Sequence, residues 1–191
     1  MDFGRIISGV IRAVQLDSNF FEEVEHDESR SQEALIVVLV AVVASAIGSF
    51  LFSLINGGGF FGALGTLVSS AIMGIVTYFF WAFLIYIVGT RFFEGTADFG
   101  EVQRTLGFAW APQVLGILSF IPVLGGIVTF VAWIWSLAIG FVATRQSLDL
   151  DNGKTALTVV IATVIGIVIQ LIFGMIMGGV GMIGSSIAGM F

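Results

Sequence analysis

The sequence predicts an all-α, multi-pass membrane protein: a bundle of five transmembrane helices preceded by an amphipathic helix at the membrane surface. Three observations predict it. The 191 residues are 58% hydrophobic and 10% charged, with net charge -6 and mean hydropathy +1.08, whereas soluble domains carry about 25% charged residues. Five apolar segments stand at 33–55, 65–90, 104–121, 123–144 and 155–178. Each is near the roughly 20 residues that a helix needs to cross about 30 Å of hydrocarbon. Finally, basic residues recur only in alternate gaps between these segments.

Residues 3–14 read FGRIISGVIRAV. Phe3, Ile6, Ile7, Val10, Ile11 and Val14 recur at helical spacing, with Arg5, Ser8, Arg12 and Gln15 on the other face. The pattern predicts an amphipathic helix. It either lies on the cytoplasmic leaflet through its basic face or packs over the ends of the spans. A second short helix is predicted after Ser18 or Asn19, with Phe20, Phe21 and Val24 on one side. The acidic run EEVEHDES, 22–29, reads as a solvated face. Residues 1–32 are thus expected as a cytoplasmic segment. They lack the short apolar core and small-residue cleavage site of a signal peptide, so the first apolar run is expected to be a retained span.

Between the second and third spans stands DFGEVQRTLGFAWAP, 98–112. Asp98 and Glu101 have the spacing of a capping box. The stretch predicts a capped helix entry at the membrane surface. Glu101 and Arg104 would face water, Phe99, Val102, Leu106 and Phe108 would lie near the interface, and Trp110 would sit at headgroup depth. Pro112 removes one backbone bond and predicts a kink as the chain turns into the bilayer. Pro122, with Gly125 and Gly126, predicts the turn into the fourth span.

DLDNGK, 149–154, resembles a calcium loop only in part. Its glycine comes one position early and no Glu follows at the right distance. It reads as a turn with Asp151 or Asn152 capping the fifth helix. The 37 residues from Thr155 to Phe191 would rise roughly 55 Å as one helix, too long for one crossing. A break at Gly178–Gly179 is expected, leaving 179–191 as an apolar, Gly-rich tail on the outer face.

Arg5, Arg12 and Arg30 precede the first span, Arg91 and Arg104 follow the second, and Arg145 and Lys154 follow the fourth. The loop at 56–64, the turn near Pro122 and the tail carry none. Basic residues mark the cytoplasmic side, so the five-span unit at 33–178 is expected with its N-terminus inside and its C-terminus outside.

Small residues repeat every fourth position on three spans: Ala41, Ser45, Ser49 and Ser53; Ala132, Ser136, Gly140 and Thr144; Ala162, Gly166, Gln170, Gly174 and Gly178. Such faces let helix backbones approach closely. They predict packing within the bundle or, for Gly166, Gln170, Gly174 and Gly178, an interface between two copies. Gln113 and Gln170 are the strongly polar side chains deep in the third and fifth spans. Each amide needs a partner there: the other amide, a carbonyl or a ligand.

Several chemistries are not expected. The chain has no cysteine and one histidine, so thiolate catalysis and thiolate metal sites are excluded. His26 has no plausible serine nucleophile beside it. No ionisable residue lies within the spans as drawn beyond Glu33 and Arg104 at their first positions, which argues against a proton- or sodium-coupled carrier. No catalytic, cofactor-binding or metal-ligating residue is assigned, and no nucleic-acid partner is expected.

Two stretches carry a family resemblance: YIVGTRFFEGTADFGEVQRTLGFAWAPQVLGIL and IWSLAIGFVATRQSLDLDNGKTALTVVI. Gly95, Pro112, Trp135, Gly153, Lys154 and Ala156 stand in the order of the Yip-one domain family, the Ypt/Rab-interacting membrane proteins and their prokaryotic relatives. The resemblance covers residues 15–175. It implies a five-span bundle with a cytoplasmic N-terminus. Eukaryotic members are associated with Rab GTPases and vesicle traffic. This short, acidic chain looks like a prokaryotic member of a plasma membrane, with no Rab partner implied.

The expected function is a non-enzymatic membrane scaffold or adaptor, acting through helix packing and cytoplasmic loops. The alternative is a transporter or lipid-handling protein with a path between the third and fifth spans. Expected partners are membrane lipids, a second copy and a cytoplasmic protein. Arg91, Glu94, Asp98, Glu101, Arg104 and Arg145 are the candidates for touching that protein, and capping or anchoring is the plainer role for all six.

Overall fold

The computed structural model describes residues 2–188, with side chains through 172 and at 174 and 175. Among them are seven α-helices, one 3₁₀ helix and no strand. The helices are α1 (Phe3–Val14), α2 (Ser18–His26), α3 (Arg30–Ile55), α4 (Gly59–Phe92), α5 (Phe99–Ala109), α6 (Leu124–Ser147) and α7 (Asn152–Ala188), with the 3₁₀ helix at Ala111–Phe120 between α5 and α6. Four helices are long and apolar enough to cross a membrane: α3, α4, α6 and α7.

The expected third span is divided. α5 ends at Ala109 and the chain continues as a ten-residue 3₁₀ helix with Pro112 in its first turn. Pro112 has no N–H to continue an α-helix, which favours the switch at this position. Beyond it the chain is drawn close to α3. A Cβ placed on Gly48 would fall onto the Gly116 carbonyl oxygen and one on Gly116 onto the Ser45 hydroxyl, so only glycine allows these backbones to meet.

α3 and the α5–3₁₀ segment run parallel. Gly107 meets Ala34 near one end, and Gly48 meets Gly116, Ile117 and Ser119 near the other. α4 returns against α3, with Gly74 beside Val42. The turn before α6 puts Val123 at φ 62, a conformation unusual for a β-branched residue.

The expected surface helix at 98–109 is instead a core element. Val102, Leu106, Phe108 and Ala109 are fully buried, and Arg104 is 6% exposed rather than facing water. The reason is α2, whose Phe20, Phe21 and Val24 are also fully buried. Phe20 stands edge-on to Phe108 with centroids 5.0 Å apart. Asp17, one residue before the expected start, caps α2 by accepting from the N–H groups of Asn19 and Phe20. α1 docks edgewise: Ile6, Gly9 and Ala13 are buried, while Phe3, Ile7 and Ile11 remain exposed.

The acidic run is not simply solvated. Glu25 is 6% exposed, while Glu23 and Asp27 pair with Arg12 and Arg5 of α1. The basic face of α1 is thereby matched by the acids that follow it in sequence. α7 is one helix through Ala188, without the expected break at Gly178–Gly179. In an apolar setting an unbroken helix keeps its backbone hydrogen bonds satisfied, and a mid-helix glycine costs only about 1 kcal/mol. Residues 189–191 of the expected tail lie outside the described residues.

Candidate functional site

Two places gather the polar side chains. The first is the end of the bundle where α1, α2, the N-terminus of α5 and the α6–α7 turn meet. Here Asp98 caps α5 by accepting from Glu101 N–H, and the Glu101 carboxylate accepts from Asp98 N–H, each at 2.8 Å. One turn on, Arg104 reaches under α2. Its Nε donates to the carbonyls of Val24 at 3.0 Å and Glu25 at 2.9 Å, and a terminal nitrogen also donates to Glu25 O. The last carbonyls of α2, of which only Val24 O also accepts a backbone N–H, from Asp27, thus receive a cation, which also suits the helix dipole.

The Glu25 carboxyl has no such relief. Its Oε2 is buried without a hydrogen-bond partner. Burial, reinforced by Asp149, pushes its pKa up to about 7. Nearby carboxyls are held the other way: hydrogen bonds from the Arg12 guanidinium lower Asp17 and Glu23.

The two loops at this end are joined. Thr96 donates through its N–H to Leu148 O at 3.2 Å and through its hydroxyl to Asp149 at 2.9 Å. Arg145 donates to Gln146, Asn152 and Ser18. Asp151 caps α7 by accepting from Gly153 and Lys154 N–H. Arg91 is exposed, and Glu94 lies 3.6 Å from Lys154. Of the six loop candidates, then, Asp98 and Glu101 cap, Arg104 is a buried strut, and Arg145 braces the α6–α7 turn against α2. Arg91 and Glu94 face outward.

The second place is a cleft of about 260 Å³ between α4, the 3₁₀ helix, α6 and α7. Its polar lining is Thr77, Gln113, Ser136, Thr163 and Gln170, and Phe80, Trp81, Trp110 and Trp133 form its aromatic walls. The two amides singled out in the sequence therefore share one cavity. Gln113 Nε2 donates to Ser136 Oγ at 3.2 Å, and Gln113 O accepts from Ser45 Oγ at 2.9 Å. Thr163 Oγ1 is buried with no hydrogen-bond partner. Trp110 is not an interfacial anchor: its ring packs between Tyr78 and Trp81, with centroids 5.5 and 6.0 Å away.

Gly166 lines the same cleft, and a Cβ there would meet only Leu84, at 3.6 Å. Farther along α7, Gln170 and Gly174 are exposed, and a Cβ on Gly174 would meet nothing within 4 Å. The surroundings of Gly178 lie outside the described residues.

Sequence reasoning missed Glu25, Thr163 and the three tryptophans of the cleft. Trp81 lies on α4, Trp133 on α6 and Trp110 at the junction between α5 and the 3₁₀ helix, so no local spacing announces them. Ser136 was visible as part of a small-residue stripe, but not as the partner of Gln113.

The helices, the divided third segment and the polar cleft can be set beside known proteins. The Yip1 domain profile matches residues 13–187, nearly the whole chain. The chain belongs to the Yip1 domain family. No curated protein and no solved structure matches it. Four long apolar helices together with this membership make it a multi-pass membrane protein. In this Yip1 domain the profile takes in α2 and the last residues of α1, as well as the spanning helices.

Proposed function

We propose that this Yip1 domain is a non-enzymatic membrane scaffold whose α7 mediates self-assembly and whose charged end meets a cytoplasmic protein. The observation that carries the reading is the divided character of α7. Its inner half is packed, with Ala162 fully buried and Gly166 buried. Its outer half presents Gly174 outward, where a Cβ would meet nothing within 4 Å, and such a bare face lets a second helix approach closely. Residues 1–32, bound to α5 and α6, make the charged end one braced unit from which Arg91 and Glu94 project.

The topology proposed with this reading has five crossings, with the N-terminus inside in a prokaryotic plasma membrane. The α5–3₁₀ segment supplies the third. Its two helices rise about 36 Å in all, enough for a hydrocarbon core of about 30 Å, and they track α3 in parallel. The alternation of basic residues sets the orientation.

The test is oligomeric mass in nanodiscs for the wild type and for Gly174→Leu, which fills no internal space. A wild-type oligomer that dissociates while the variant remains folded supports the scaffold. A monomer in both cases overturns it. The cleft favours a second reading, a lipid-handling protein with its path between the 3₁₀ helix and α7, because Gln113 and Gln170 line the same cavity. Transfer of labelled lipid between vesicles tests that reading.

A further inference from the structure

We propose that the cleft is a binding site for an uncharged glycerolipid of the diacylglycerol class, held through its hydroxyl and ester carbonyls by Gln113, Ser136, Thr163 and Gln170. The proposal deepens the lipid-handling reading and rests on it.

Depth comes first. Thr163 and Gln170 lie 11 and 18 residues into α7 from Asn152, about 16 and 27 Å along the helix axis. Ser136 lies 11 residues before the end of α6 at Ser147, again about 16 Å from the charged end. Thr163 and Ser136 therefore stand near the middle of a hydrocarbon core of about 30 Å, with Gln170 nearer its far face, and a hydrogen-bonding group without a partner is costly there.

Charge comes second. The lining contains no Lys, Arg, His, Asp or Glu. A phosphate headgroup brought to this depth would lose its hydration and find no cation, so charged phospholipids are poor occupants.

The balance of donors and acceptors comes third. The Gln113 and Gln170 amides and the Ser136 and Thr163 hydroxyls both donate and accept. Gln113 spends a donor on Ser136, and the buried Thr163 hydroxyl has no partner in the structure. A lipid-soluble quinone only accepts and would leave the amide oxygens unmatched. A diacylglycerol donates through its free hydroxyl and accepts through its esters.

Size and access agree. With about 30 Å³ per water in the liquid, 260 Å³ matches roughly nine waters. That is room for a glycerol, its esters and the first carbons of the chains. Trp133 and Ile167 line the cleft and are exposed on the flank of the bundle. The chains can leave there into the bilayer, and the ligand enters sideways.

The test uses the full chain in phosphatidylcholine nanodiscs, with Trp135→Phe as background so that every remaining tryptophan lines the cleft. Tryptophan fluorescence is quenched with diacylglycerol brominated on its acyl chains. Phosphatidylcholine with the same bromine content is the comparison. The expected result is saturable quenching by diacylglycerol in excess of that by phosphatidylcholine, reversed by unlabelled diacylglycerol. Thr163→Val, which keeps the side-chain shape, is expected to weaken binding by about fivefold, the equivalent of one hydrogen bond. Gly166→Leu fills the cleft and is expected to abolish the excess.

Equal quenching by the two lipids overturns the proposal, as does an excess unchanged in both variants. Reversal by a quinone but not by diacylglycerol overturns it too. Lipid transfer between vesicles is measured in parallel. Binding without transfer upholds the site and overturns the handling reading. Transfer without a diacylglycerol preference overturns the site and leaves that reading standing.

Discussion

Glu25 and Arg104 show how one helix end can treat two buried charges differently. Arg104 is spent on the carbonyls of Val24 and Glu25, while the Glu25 carboxyl keeps an unpaired buried oxygen. Its folded pKa is raised from the ordinary 4.5 to about 7, so the folded state holds its proton more tightly than the unfolded chain. That contribution is fully present below the unfolded pKa and is lost as pH rises through the folded one. Discounted for solvent screening, the difference is on the order of 2 kcal/mol between pH of about 4.5 and about 7. Asp17, Glu23 and Asp27 act with the opposite sign: their pKa values are lowered, so their stabilisation is present above the usual carboxylate range and fades in acid. Glu25→Gln is therefore expected to be the more stable protein near pH of about 8 and to flatten the decline above pH of about 5. Thermal unfolding across that range measures it, and a profile parallel to wild type would refute the assignment. Arg104→Met should cost about 1–3 kcal/mol by orphaning the buried Glu25 carbonyl, since Val24 O keeps the Asp27 N–H. Hydrogen exchange should then rise in α2 before it rises in α4 or α6.

At the scale of elements, the parallel seam between α3 and the α5–3₁₀ segment decides how the third segment is built. Gly48 and Gly116 let the backbones touch. Gly48→Ala places a methyl on the Gly116 carbonyl oxygen, and the seam must part. A loss of about 1–3 kcal/mol in detergent unfolding is expected, larger than for alanine at Gly126, where a Cβ meets nothing within 4 Å. The turn before α6 stores strain of the other kind. Val123 is 82% exposed and adopts φ 62, so Val123→Gly should stabilise the protein by about 1 kcal/mol. The same unfolding assay reads both changes, and they carry opposite signs.

For the whole molecule, the proposed topology makes a direct prediction. The chain has no cysteine, so single cysteines report without background. Introduced at Asn56 and Val123, they should react with a membrane-impermeant maleimide from outside intact cells. Introduced at Glu28 and Asp149, they should react only after permeabilisation. Labelling of Val123 from the inner side would mean that the α5–3₁₀ segment enters and returns without crossing. The bundle would then have four spans and both termini on one side.

Membrane character, the long helices, the capping box at Asp98 and the apolar side of α2 were legible in the sequence, because each depends on local composition or on a spacing of three or four residues. Gln113 and Gln170, which line one cleft, could also be picked out, since an amide in an apolar run stands out wherever the run folds. Sequence periodicity does not say which neighbour will cover a face. Arg104 looked water-facing because nothing near it in the chain predicts that α2, some eighty residues earlier, lies over it. Pro112 announced a break but not a 3₁₀ helix, which depends on how closely Gly48 and Gly116 let α3 approach. The cleft is a meeting of tryptophans and hydroxyls from four elements. Composition and local spacing by themselves determined a helical membrane bundle with a charged end. Only tertiary packing decided which charges are buried and where the interior keeps polar space, because burial belongs to pairs of surfaces and not to either one alone.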